Sequence, residues 1–230
     1  MKRRHSFLFS VLVLLVSGTL FFAPDPTYAA VRCPAPEAPA RVNIKTVAAK
    51  IIYKTGKSSS DLQRMQRQRG RLQGAGNWRV LGLTLTEFRY AIKTAAMMIP
   101  VKGGGYCAQP VSYDLSVGFS DFQVHIDRKY KRGSCEFAAI RDHEITHVTL
   151  FRSNLSRYLP LIKRQARAAA TAVKSVAVND PDSGAQNLQD QMQRRMGPLI
   201  KKLNRDANTA NARIDTAKSY RNVQMLCDNW

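Results

Sequence analysis

SCEFAAIRDHEITHVTLFRSNLSRY, residues 134 to 158, carries a helical pattern with a chemical motif at its centre. Phe137, Ile140, Glu144, His147, Phe151, Leu155 and Tyr158 follow an i, i+3/i+4 path, the period of a helix that buries one stripe. Ser134 is placed to cap that helix, and Glu136 falls in its first turn, where the helix dipole favours an acid. His143-Glu144-Ile145-Thr146-His147 sits in the middle of the stripe. Residues four apart on a helix stand one above the other, so both imidazoles face the same way. That spacing lets His143 and His147 bind one Zn²⁺, with Glu144 positioned as a general base toward an attacking water. The bland alternative is two surface histidines beside an acid, but the motif's face is the one the period buries.

Working outward, Pro160 is expected to kink or briefly interrupt the helix, with the pattern resuming to about residue 178. Asn179-Asp180-Pro181-Asp182-Ser183-Gly184 reads as a turn, and a second helical stretch runs from about Asn187 toward Cys227, interrupted at Gly197-Pro198. If the two stretches fold as a hairpin over 134–227, residues equidistant from the turn face each other. Cys135 then faces Cys227, and in the same register His147 faces Asp215, while Asp206 faces the region of Pro160. Tyr220 falls about one turn from Asp215, where its hydroxyl can donate to a developing oxyanion.

A catalytic zinc takes three protein ligands and keeps one position open. The metzincin pattern needs His at 153 and Gly at 150, where this chain has Ser153 and Leu150. The gluzincin pattern needs a downstream glutamate, and none follows Glu144. Past residue 29 the histidines are His125, His143 and His147. The third ligand is therefore Asp215, by the hairpin register, or His125, on the strand face opposite Phe122, Val124 and Ile126.

Before the motif helix, residues 42–130 read mainly as strands. Val42 to Tyr53 is apolar and β-branched, and Ser60 is a candidate N-cap for a short helix ending at Gly70. Gly74-Ala75-Gly76-Asn77 is a loop. Val80 to Met98 alternates with a parity slip between Leu85 and Phe88 that suggests a bulge. Val111 to Val117 and Phe122 to Ile126 alternate cleanly. The fold class is α+β: a small antiparallel sheet followed by a long helical hairpin whose first helix carries HExxH. The strand at Phe122 to Ile126 is the expected partner for an extended substrate.

Lys2, Arg3 and Arg4, the apolar run Phe7 to Phe22, and Thr27-Tyr28-Ala29 have the form of a signal peptide over 1–29, leaving a single domain over 30–230. The expectation is an exported, periplasmic or secreted protein with no stable membrane span after cleavage. Cys33, Cys107, Cys135 and Cys227 lie past the leader, where disulfides persist. Their spacing excludes a thiolate zinc finger. Cys33–Cys107 follows by elimination if Cys135 pairs with Cys227, and Cys107–Cys135 competes with that scheme. The chain holds 36 Lys and Arg against 16 Asp and Glu; without Lys2, Arg3, Arg4 and Asp25 the balance is 33 against 15, a net charge of +18. Such a charge concentrates acidic partners, which outside the cytoplasm are anionic cell-envelope components and not nucleic acid. A solvated basic face that only aids solubility is the alternative.

The HExxH pentapeptide resembles that of the zincins, with Ile145, Thr146 and Val148 fitting the usual flanks and Arg141 and Thr149 departing from them. More loosely, the chain resembles bacterial exported proteins described as predicted secreted zinc-dependent proteases. The likeness rests on the strand before Thr55-Gly56, Gly82-Leu83-Thr84, Gly133-Ser134-Cys135, Ile214-Asp215, Cys227 and Trp230. It implies His143 and His147 as zinc ligands and Glu144 as the catalytic residue, and it favours Asp215. The resulting expectation is a zinc-dependent hydrolase, a metallopeptidase acting on peptide or protein substrates. The competing expectation is a non-catalytic basic envelope-binding protein with a structural or vestigial zinc site.

Overall fold

Three chain segments cross one seam, and that seam organises the β half of the molecule. The computed structural model describes residues 32–68 and 79–230, and residues 32–230 make one compact unit. The leader expected over 1–29, Gly70 and the loop at 74–77 lie outside the described residues. On one side of the seam β1 (Arg41–Thr46), β5 (Tyr106–Phe119) and β4 (Phe88–Pro100) form a sheet in the order β1-β5-β4. On the other side β2 (Ile51–Lys54), β6 (Phe122–Ile126) and β3 (Gly82–Leu85) form a second sheet in the order β2-β6-β3. The order is the same because β1 continues into β2, β5 into β6 and β3 into β4.

Two sequence expectations are corrected here. Val42 to Tyr53 is two strands, and the parity slip between Leu85 and Phe88 is a change of sheet at Thr86-Glu87, not a bulge. Thr86 Oγ1 donates to the Ser120 carbonyl at 2.8 Å and the Glu87 amide donates to Ser120 Oγ at 2.9 Å, so the crossing points are tied to each other. The one irregularity in the β4–β5 pairing lies farther on, between Ala95 and Ala96. The sheets are also mixed, not antiparallel, since β1 pairs with β5 and β2 with β6 in parallel. Alternation reports which residues share a face and carries no information on strand direction.

The helices supply the rest of the α+β architecture. Helix α1 (Ser59–Gln68) is capped by Ser58, not Ser60: the Asp61 amide donates to Ser58 Oγ and the Ser58 amide to Asp61 Oδ2, a reciprocal capping box. Its Leu62 is buried with Val80, Leu83 and Leu85 on one face of the β2-β6-β3 sheet. Helix α2 (Cys135–Ala172) lies on the other face. Its cap is Ser134, as expected, with the Phe137 amide donating to Ser134 Oγ at 3.1 Å. Phe119, Phe122 and Phe151 meet where the two sheets join beneath it, with ring centroids 4.9 to 6.1 Å apart.

Helix α2 runs unbroken through Pro160, because Tyr158 and Ile162 on either side of it are buried. It stops at Ala172, earlier than its pattern implies. The β-branched run Val176–Val178 is taken instead by β7, which pairs with β5 beyond the end of β1. Asp180 then caps α3 (Pro181–Ala212), so the expected turn at 179 to 184 is largely the first turn of a helix. Helix α3 runs through Gly197-Pro198 and ends at Ala212. A short link at residues 213–216 leads to α4 (Ala217–Gln224), capped by Thr216. The hairpin of α2 and α3 packs its apolar stripe over β4, β5 and β7. No helix among the described residues is long and apolar enough to cross a membrane.

Candidate metal centre

Cys135 and Cys227 are joined by a disulfide, and Cys33 is joined to Cys107. The first clips the open end of the hairpin and excludes the competing Cys107–Cys135 bridge. The register implied by that clip holds along the helices. Tyr158 donates a hydrogen bond to Asp206, as expected for a residue facing the Pro160 region. Asp215, in the link between α3 and α4, reaches the motif. Its Oδ1 stands 3.1 Å from His147 Nε2 and 3.4 Å from His143 Nε2, and the Tyr220 hydroxyl donates to the same oxygen at 3.2 Å.

Around this point the helix surface is enclosed. His147 is buried, and its ring meets that of His143 edge to face at 5.1 Å. Its Nδ1 lies 2.9 Å from Asn211 Oδ1, and the Asn211 amide nitrogen donates to the Ala207 carbonyl. The second bond fixes the amide, so Asn211 presents oxygen and His147 Nδ1 must be the donor. Nε2 is then the ring atom left to face Asp215. In the metal-free protein it carries a proton there, and otherwise its lone pair requires a cation. Burial by itself would lower the His147 pKa, but the hydrogen bond to Asp215, the charges of Glu144 and Asp215, and Asn211 together raise it. Asp215 is pushed up by burial and pulled further down by His143 and His147, which hold it below the ordinary carboxylate range.

Glu144 is 1% exposed and lies against β3, with a carboxylate oxygen within 4.8 Å of ligand atoms of His143 and His147. Thr84 Oγ1 donates to its Oε2 at 2.8 Å. Gly82 lies against its stem: a Cβ there would stand 2.4 Å from Oε1 and 2.8 Å from Cγ, so only glycine admits this carboxylate. Burial pushes the Glu144 pKa up, opposed by His147, His143 and Thr84. Burial, with the charges of Asp215 and Glu144, pushes the Tyr220 phenol up, so it remains a hydrogen-bond donor at neutral pH.

His143, Glu144 and His147 offer ligand atoms within 4.8 Å of one another, a cluster that could hold a metal ion. Asp215 stands outside that trio, although its Oδ1 is 3.1 and 3.4 Å from the two Nε2 atoms, and so does the rival ligand His125. It is buried on β6 opposite Leu83, on the sheet face that looks toward α1, whereas Thr84 and its neighbour Val124 face α2. The expectation that Phe122 to Ile126 pairs with substrate also fails. β6 is bonded on both edges, by β2 and by β3, which are the two edge strands of that sheet among the described residues.

A cavity of about 450 Å³ opens beside His143 and Glu144, walled by Leu81 and Gly82 on one side and by Tyr220 and Val223 of α4 on another. Sequence reasoning missed Asn211, Thr84 and Gly82. Asn211 left a signal, since it follows Leu203 and Ala207 at helical spacing and places an amide on an apolar stripe. Comparison with protein-family models, with curated proteins and with solved structures returns no match.

Proposed function

We propose that the protein is an exported zinc-dependent hydrolase, a metallopeptidase, whose zinc is held by His143, His147 and Asp215. The observation that carries this reading is the convergence of both Nε2 atoms on one buried-side carboxylate oxygen, next to an enclosed glutamate. Ligands of a tetrahedral zinc, with bonds of about 2.0–2.2 Å, lie roughly 3.3–3.6 Å apart. The 3.4 Å separation matches that edge, and the 3.1 Å separation is slightly shorter, the length of a hydrogen bond. A set of two imidazoles and one carboxylate is also the number a catalytic zinc takes when one position stays open.

Zinc held by these groups supplies Lewis acidity toward water and toward a carbonyl. Glu144, with its pKa raised by burial, accepts the proton of the attacking water and returns it to the departing amine. Tyr220 keeps its proton and donates toward the oxygen that gains charge. Asn211 orients His147, and Thr84 with Gly82 orients Glu144. The edge of β3 that no described strand pairs with, which reaches the cavity at Gly82, would offer backbone groups to an extended peptide. Two disulfides favour an oxidising compartment.

The test is Glu144→Gln in the zinc-loaded protein, assayed against a quenched-fluorescent casein digest. Turnover should fall by about 10²–10⁴-fold while zinc content stays stoichiometric. Equal activity in both proteins, or none in either, would leave the envelope-binding alternative standing.

A further inference from the structure

The cavity beside Glu144 is ringed by cations that the proposed hydrolysis does not use. Arg79, Lys129 and Arg221 all line it, and Glu144 is the one acidic side chain in the lining among the described residues. They arrive from three segments. Arg79 lies just before β3, and Lys129 lies just after β6; the Asp127 amide donates to the Leu81 carbonyl at 2.8 Å, which sets these two ends side by side. Arg221 comes from α4, which the Cys135–Cys227 disulfide holds against α2. All three are exposed at the cavity mouth, and none makes an ion pair with a described residue. Lys129 instead sits with its ammonium 5.0 Å from the Tyr130 ring centroid. Tyr130 in turn packs edge to face on Trp230 at 5.7 Å, giving the cavity an aromatic wall below its charged rim.

A bound zinc would be balanced by Asp215 and Glu144; Asp127, which lines a neighbouring groove with Arg79, Arg128 and Lys129, offsets part of the rim charge, and an excess of positive charge remains. Resting on the metallopeptidase reading, we infer that the missing charge belongs to the substrate. The cavity is a subsite for a peptide carboxylate, either an acidic side chain next to the scissile bond or the chain's own C-terminus. A cleft lined by one sign of charge with low-dielectric walls focuses its field on such a group. Exposed ion pairs are individually weak, so each cation should contribute about two- to fivefold.

The experiment uses eight-residue Ala/Leu peptides bearing one Glu, or one Gln of the same shape, at each position in turn. Each is made with a free C-terminal carboxylate and with an amide. kcat/KM is measured with the zinc-loaded protein, and binding of fluorescein-labelled copies with its Glu144→Gln variant. The expected result is a Glu-over-Gln preference of about tenfold at one position, or an equal preference for acid over amide at the terminus; which one appears identifies the source of the carboxylate. Arg221→Glu and Arg79→Glu should abolish the preference. Arg164→Glu, on the exposed face of α2 roughly 30 Å along the helix at ~1.5 Å per residue, should not. Cleavage without charge preference, or a preference lost equally with Arg164→Glu, overturns the subsite and leaves the hydrolase intact. Selective binding of acidic peptides with no cleavage by the wild type supports the subsite and overturns the hydrolase. Neither binding nor cleavage overturns both.

Discussion

The two ends of the α2–α3 hairpin bury the same helical stripe, one wholly apolar and the other interrupted by polar and ionisable side chains. At the closed end Ile162, Ala166, Ala169 and Ala170 face Leu188, Met192, Met196 and Ile200, all buried and apolar. At the open end Glu144, His147, Asn154 and Asn211 are buried among apolar neighbours such as Ile140, Val148, Phe151 and Ala207. Burying an apolar side chain contributes roughly 1.5–3 kcal/mol, whereas burying a carboxyl costs free energy unless it is paired. The closed end is stabilised by apolar burial alone, and the open end adds buried polar groups that oppose it. The Cys135–Cys227 disulfide lies at that mixed end.

Several substitutions can break or sharpen that contrast. Glu144→Leu should have the largest effect, removing turnover by about 10²–10⁴-fold. Yet it should stabilise the chelated protein in urea by about 1–3 kcal/mol, because a buried carboxyl disappears. Thr84 keeps the carbonyl of residue 144 as an acceptor, 3.1 Å away, so no hydroxyl is orphaned. Met196→Ala at the closed end should do the reverse, costing about 2–5 kcal/mol in the same urea melts while activity per folded molecule stays at the wild-type level. Gly82→Ala drives a methyl into Glu144 and should lower kcat by about 100-fold, the scale of a catalytic group displaced by about 1 Å. Asn211→Ala frees the His147 ring and should weaken zinc binding, measured by chelator competition, by about 10–100-fold.

The smallest effect is on the pH dependence of stability. In the metal-free protein the His147 pKa is raised, so its contribution is full below about 6.5 and is lost as pH rises through the folded value. The raised Glu144 acts in the same direction at lower pH, from its ordinary 4.5 upward. Asp215 is lowered, so its contribution is present above about 3.8 and is lost as pH falls through its folded value. Zinc competes with the His147 proton and gains as that proton leaves. The Tm difference between zinc-loaded and chelated protein should therefore widen from about pH 6 to about pH 8. A gap that stays constant would argue that His147 is not a ligand.

How legible this was in the sequence depended on the range of the signal. The motif helix, its Ser134 cap and the hairpin were readable, because a helical period and two cysteines constrain each other over a rigid rise per residue. That same register brought Asp215 to His147, even though the second helical stretch breaks into α3, a link and α4. The sheets were less readable. Strand direction, and the seam at Thr86-Glu87 and Ser120-Asp121, depend on pairings between distant segments, which alternation does not encode. The end of α2 was misplaced for a related reason, since Val176–Val178 satisfies either a helix or an available strand edge, and β5 supplied the edge. Thr84 and Gly82 were invisible as site residues because their role is set by an approach to Glu144 across the fold.

Anomalous scattering from a zinc-soaked crystal, collected on both sides of the zinc edge, tests the central claim most directly. The account predicts a single strong peak within about 2.0–2.2 Å of His143 Nε2, His147 Nε2 and Asp215 Oδ1, with Glu144 outside bonding distance. A peak ligated by Glu144 in place of Asp215, or no peak at the motif, would contradict it.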